Sequence, residues 1–172
     1  GQEPGASLSA NGREQAVSLA QALSSIPFDK LYSSPYLRAT QSIEPLALQL
    51  DKQITIDDRL EERRLSGESI ENWLEELEKT FINLSYKLEG GESSREAVSR
   101  GVAVIQDVLY YTKEFALIMT HGNMLALLLN YFDSSYGFHT WKSLNNPDVY
   151  CLTFNNEQID CVNHVNLKKA SS

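Results

Sequence analysis

An apolar run from Leu117 to Leu129 is interrupted at Thr120-His121-Gly122-Asn123. An unbroken hydrophobic element is easier to bury, and a plain loop needs neither an imidazole nor a glycine at that break. Two other stretches carry comparable chemistry. Ser33-Ser34-Pro35 is followed by Arg38, and Arg59 is followed by Glu61, Glu62, Arg63 and Arg64. A guanidinium can grip two phosphoryl oxygens as a fork. An imidazole can neutralise charge on a third. A carboxylic acid, Glu61 or Glu62, can protonate a leaving alkoxide. Gly122 lets a ligand come close to the backbone. Such a set suits a phosphate monoester, although it contains no evident nucleophile.

These groups act together only if the fold gathers them, so the elements between them matter. Residues 9–25 have helical periodicity in Ala16, Leu19, Ala20 and Leu23, with Ser9 or Asn11 as cap. A strand follows over Phe28–Tyr32. Ser33-Ser34-Pro35 has the composition of a helix start, and that helix is expected to reach Leu50 with a kink near Pro45. A short strand at Ile54–Ile56 leads into a charged loop, 57–67. Ile70, Trp73, Leu74, Leu77, Phe81, Leu84 and Leu88 form one stripe, which predicts a helix over 69–88 with its glutamates in solvent. Trp73 reads either as core or as a lid over a pocket. Gly90-Gly91 ends that helix. Ser93-Ser94-Arg95-Glu96 has the capping-box pattern and opens another helix, to about Tyr111. Phe115–Met119 reads as a strand covered on both faces, followed by a helix to Phe132. Strands at Val149–Phe154 and Gln158–Val162 are too closely joined for a crossover and should form a hairpin. The expected fold class is α/β: a three-layer α/β/α sandwich, a mostly parallel sheet with an antiparallel C-terminal hairpin, in one domain over 1–172. In such sheets ligands bind beyond the carboxyl ends of the strands. Arg38, the glutamates and His121 each follow a strand there, and two helix starts bring amides that favour an anion.

Composition narrows the partners. The 172 residues are 42% hydrophobic and 22% charged, with a net charge of −8. That charge argues against nucleic acid or an anionic membrane, which would need a basic face. No apolar run is long enough to span a bilayer, and no secretory signal is visible. The two cysteines, Cys151 and Cys161, read as buried thiols in a reducing cytoplasm. No ligand cluster for a metal is apparent, and no cofactor is expected. The ligand expected is a small phosphorylated metabolite or phosphate itself; homo-oligomerisation stays open. His139 and His164 read as surface or structural, and Glu92 as either site rim or helix-start charge.

The same segments resemble the histidine phosphatase superfamily in its phosphoglycerate mutase-like branch, in family order and over nearly the whole chain. SLSANGREQAVSLAQAL is similar to the family's first helix, and LYSSPYLRATQSIEPLA to its S-S-P-x-x-R-A-x-Q-T segment. DDRLEERRLSG is similar to the loop carrying the acid, GGESSREAVSR to the G-G-E-S segment, ALIMTHGNMLALLL to the S/T-H-G turn, and NPDVYCLTF to the strand after it. The resemblance implies that Arg38 binds the phosphoryl group and that Glu62, rather than Glu61, is the general acid. It implies that His121 stabilises the transferring group and that Gly122 offers a backbone N–H. Gln2 would be an amide facing the phosphate from the first loop.

The departure is the nucleophile. The family uses the histidine of an R-H-G motif ending its first strand, and here the three histidines are His121, His139 and His164. In the family that strand lies between those corresponding to 115–119 and 149–154. Leaving two apolar edges unpaired is costly, so roughly ten to fifteen further residues are expected upstream of Gly1. The activity implied is a phosphomonoester phosphatase working through a phosphohistidine. The alternatives are a phosphoglycerate mutase-type phosphoryl transferase and, if the chain is as written, an inactive phosphate-binding or interaction protein. A Ser-His hydrolase using Ser33 or Ser34 lacks the G-x-S-x-G context.

Overall fold

The computed structural model describes residues 4–167. Gln2 lies outside them. Alternation of period 2 in the strands and near 3.6 in the helices sorts the side chains to two faces. Strands β1 (Phe28–Ser33), β2 (Ile54–Ile56) and β3 (Phe115–Met119) form a parallel sheet in the order β2-β1-β3. Leu31 is opposite Ile54 on one side and Leu117 on the other. β4 (Tyr150–Asn155) and β5 (Gln158–His164) form the expected antiparallel hairpin.

Helices α1 (Ala10–Leu23) and α2 (Leu37–Leu50) cover one face. Leu19, Leu23, Ile43 and Leu46 pack there with Phe28 and Leu31, and with Leu117, Met119 and Val149. The other face is covered by α4 (Ser94–Tyr111) and α5 (Gly122–Phe132). There Ile105, Met124, Leu127 and Leu128 meet Ile118 and Phe154, while Val104 and Val108 meet Tyr32, Ala116 and Leu60. Leu117 and Met119 thus point to one core, Ala116 and Ile118 to the other. Phe154 of the hairpin packs in the second core, and Val149, just before β4, in the first. β3 and β4 each keep an edge that pairs with no described strand. Both faces of β3 are covered, as its apolar run suggests, but its unpaired edge leaves the strand half-buried and Phe115 exposed.

Local chemistry explains most boundaries. Ser9 caps α1, its Oγ accepting from Gly12 N at 3.0 Å. Ser93 caps α4 in the same way through Glu96 N at 3.1 Å. α2 starts later than expected, with Tyr36 at the cap position and no side-chain cap. It runs unbroken through Pro45, because Ile43, Leu46 and Ala47 anchor both sides of the proline in the core.

The helix expected over 69–88 is only Trp73–Ile82, α3. Asn83 leaves helical geometry and its side chain accepts from Ser85 N at 3.1 Å, an alternative to continuing the helix. The chain folds back, and Tyr86 Oη donates to Glu76 Oε2 at 2.5 Å while Lys79 Nζ approaches Glu76 Oε1 at 3.0 Å. Glu76 is therefore buried and paired, unlike the solvated glutamates expected on that face. Residues 89–92 then run against the charged loop: Gly67 N donates to Glu89 O and Glu92 N to Arg64 O. A Cβ on Gly91 would sit 2.2 Å from Leu65 O, and Gly90 has φ +75°, so this approach needs both glycines. A further short helix absent from the sequence reading, α6 (Phe138–Ser143), follows α5. Both cysteines are exposed, contrary to expectation, because residues 151 and 161 fall on the outer face of the hairpin. None of the described helices is long and apolar enough to cross a membrane.

Candidate active site

The turn after β3 is built from both of its neighbours. Ser34 N donates to Met119 O at 3.0 Å, joining the ends of β1 and β3. Thr120 Oγ1 donates to Leu60 O at 2.7 Å, tying the turn to the charged loop. That loop tightens into a short 3-10 turn, Asp58–Leu60, capped by Asp57 through Arg59 N. Leu60 is fully buried beneath it. His121 is the cap residue of α5 and Gly122 its first helical residue.

Glu62 lies on the start of α5. Its Oε2 accepts from Asn123 N at 2.9 Å and its Oε1 from Met124 N at 2.7 Å, with Arg63 N on Oε1 at 2.9 Å. The anion these helix amides meet is thus Glu62 itself, not an external ligand as the sequence reading expected. Burial raises the Glu62 pKa above the ordinary glutamate value, and the three amides only partly offset it. A carboxyl group biased toward its protonated form is what a general acid requires. Glu61, the other candidate acid, has a carboxylate that bonds no described residue; only its backbone is engaged, its N–H by Asp58 O and its carbonyl by Arg100.

The imidazole of His121 has Nε2 at 2.8 Å from Ser34 Oγ. Tyr36 stands against it, with ring centroids 4.6 Å apart, and the Arg38 guanidinium lies 4.9 Å from the centroid of the same Tyr36 ring. Burial lowers the His121 pKa to about 4, and the charges of Arg38 and Arg100 add to the effect. The imidazole is therefore neutral at physiological pH and has a proton on one nitrogen to donate. Glu62 and His121 thus meet at the start of α5, and Arg38 stands by His121 across the Tyr36 ring. Gly122 faces Leu144 and Trp141, where a Cβ would make ordinary contacts of 3.5 to 3.8 Å, so protein packing does not itself demand glycine. Gln2 falls outside the described residues. No group of His, Cys, Asp and Glu among the described residues could hold a metal ion.

Several supports escaped the sequence reading. Arg100 of α4 holds the acid loop from below: Nη1 donates to Arg59 O and Glu61 O, both at 2.7 Å, and the other guanidinium nitrogens take the Glu92 carboxylate. Its signal was in the pattern, since Arg100 falls on the buried stripe of Ala97, Gly101 and Val104. Arg63 is buried, with Nη1 on Thr80 Oγ1 and Nη2 on Glu92 O. Glu92 is thus a brace for two arginines. Ser34 was visible only as part of a helix start, and neither its contact with His121 nor that of Tyr36 was legible, because both span 85 residues or more of chain. His139 and His164 lie at the surface, as expected.

Comparison with solved structures finds the same mixed α/β fold. Phosphoglycerate mutase from Bacillus anthracis str. Sterne matches with a TM-score of 0.76 at 17% identity, over 97% of this chain and 85% of that one. YhfR of Bacillus stearothermophilus matches with a TM-score of 0.72 at 22% identity, over 91% and 83%. A mycobacterial glucosyl-3-phosphoglycerate phosphatase matches with a TM-score of 0.69 at 18% identity, over 92% and 86%. No curated protein matches the sequence. The model of the histidine phosphatase superfamily (branch 1) matches residues 1–167, and the chain with its α5 site belongs to that superfamily.

Proposed function

We propose that this protein is a phosphomonoester phosphatase acting through a phosphohistidine. The observation that carries the reading is Glu62, a carboxyl group kept above its ordinary pKa at the same helix start that holds His121 and faces Arg38. We assign the phosphoryl acceptor to a histidine of an R-H-G segment outside residues 1–172. The edges of β3 and β4 that pair with no described strand are what supports a further strand as its place.

In the first step a nitrogen of that histidine attacks phosphorus in line with the ester oxygen. The P–O bond breaks as Glu62 passes its proton to the leaving oxygen, releasing an alcohol. Water then attacks the phosphohistidine, Glu62 takes its proton, and phosphate departs. Arg38 and the neutral His121 donate to the equatorial oxygens through both steps, a cradle already oriented before reaction. Gly122 offers its N–H, which bonds no described residue. No step calls for a metal or organic cofactor.

The test compares the gene product isolated from its source with its Glu62→Gln variant. The native protein should release phosphate from p-nitrophenyl phosphate and yield an acid-labile phosphoenzyme. The variant should lose about 10²- to 10⁴-fold in kcat. Native turnover retained by the variant would remove Glu62 from the mechanism. Isomerisation of a phosphoglycerate without net phosphate release would establish the mutase alternative. Phosphate binding without either reaction would establish an inactive binding protein.

A further inference from the structure

An aromatic ladder climbs from the core to the site. Phe81 and Phe138 meet with centroids 5.9 Å apart, Phe138 stacks on Trp141 at 5.7 Å and 18°, and Trp141 takes the edge of Trp73 at 6.1 Å and 84°. Trp73 and Trp141 are the chain's two tryptophans. Trp73 opens α3, the helix that follows the acid loop, and Trp141 lies on α6, which follows α5. The two segments that leave the Glu62 and His121 ends of the site therefore converge again here.

The ladder reaches the phosphate turn directly. Trp141 Cδ1 and Nε1 both lie 3.8 Å from the Cβ position of Gly122, and Leu144 Cδ1 lies 3.5 Å from it. Its outer end is open, with Trp73 48% exposed and Leu74 exposed beside it. An indole held in a fixed edge-to-face pair but left half in water forgoes much of the stabilisation its area could supply on burial. A rigid apolar wall beside a polar anchor is the usual make-up of a small-molecule subsite.

We propose that Trp73 and Trp141 form the leaving-group subsite, and that the phosphorylated ligand of this protein carries a flat aromatic group. This rests on the phosphate reading of the α5 site. The test is calorimetric titration of the gene product isolated from its source, in a Glu62→Gln form that slows turnover, with inorganic phosphate, phenyl phosphate, glycerol 2-phosphate and glucose 6-phosphate. Phenyl phosphate should bind about tenfold more tightly than glycerol 2-phosphate, the scale of one aromatic contact. In Trp141→Ala that ratio should fall to near unity. Trp73→Ala changes a half-exposed position, and so keeps the test valid if Trp141→Ala does not fold; its ratio should fall to about threefold or less.

Equal binding of the phenyl and glycerol esters, or a ratio untouched by Trp73→Ala, would overturn the subsite. Glucose 6-phosphate binding as well as phenyl phosphate would replace the aromatic ligand with a sugar. Failure of every phosphate compound to bind would remove the phosphate reading as well. Binding of inorganic phosphate with no aromatic preference would leave that reading standing and remove only this one.

Discussion

Lowering the pH from 7.5 to 5.0 protonates His121 in the unfolded chain but not in the fold. Its pKa drops from 6.5 to about 4 on folding, through burial first and then the charges of Arg38 and Arg100. A histidine with a depressed folded pKa contributes stability in full above its unfolded value. That contribution is lost as pH falls from about 6.5 toward 4, because the unfolded state gains a proton that the fold refuses. At pH 5.0 the linkage amounts to about 1.5 pKa units, or about 2 kcal/mol, an upper figure because His121 keeps some contact with solvent. Other groups also change protonation between these pH values, so the informative quantity is a difference. Urea unfolding of the wild type and of His121→Gln at both pH values isolates it. The wild type should lose about 2 kcal/mol more than the variant between the two. Saturating phosphate should shrink that excess, since a bound anion beside the imidazole raises its pKa again. Equal losses in the two proteins would refute the picture of a buried, neutral His121 facing two arginines.

Two further expectations follow from single contacts. Ser34 is fully buried, and its Oγ accepts from Tyr36 N at 3.2 Å as well as meeting His121. Ser34→Ala should cost about 1 to 3 kcal/mol in urea unfolding and should shift the nitrogen-15 resonances of the His121 ring; an unchanged ring spectrum would deny Ser34 a positioning role. Leu127 is fully buried between α4 and α5. Leu127→Ala should cost about 2 to 5 kcal/mol by leaving a cavity, and a loss well under 1 kcal/mol would show that the two helices can close over the gap.

The period of the apolar residues carried the α/β order, because burial of one face is a property of each segment by itself. Ser9 and Ser93 announced their helices for the same reason: a cap acts within three residues. Local pattern was weakest where distant groups compete with it. The stripe running to Leu88 remained a good helical pattern, yet Asn83 and the Glu76–Tyr86 contact ended α3 at Ile82. Cys151 and Cys161 looked like core residues by type, and only the register of the hairpin put them outside.

At the site, residue type alone singled out Arg38, His121, Gly122 and the pair Glu61 and Glu62 as candidates for phosphate chemistry, and the family resemblance chose Glu62 of that pair. Which glutamate lies on α5 was a matter of tertiary structure, since Glu61 and Glu62 differ only in where the 3-10 turn aims them. The environment that tunes them was equally illegible: Ser34, Tyr36 and Arg100 reach the site across dozens of residues, and desolvation has no sequence signature. Sequence by itself determined the kinds of groups available and the segments that carry them. Tertiary structure decided which amides meet Glu62, what keeps His121 neutral and which rings stand beside Gly122, because each depends on atoms that only folding brings within a few ångströms.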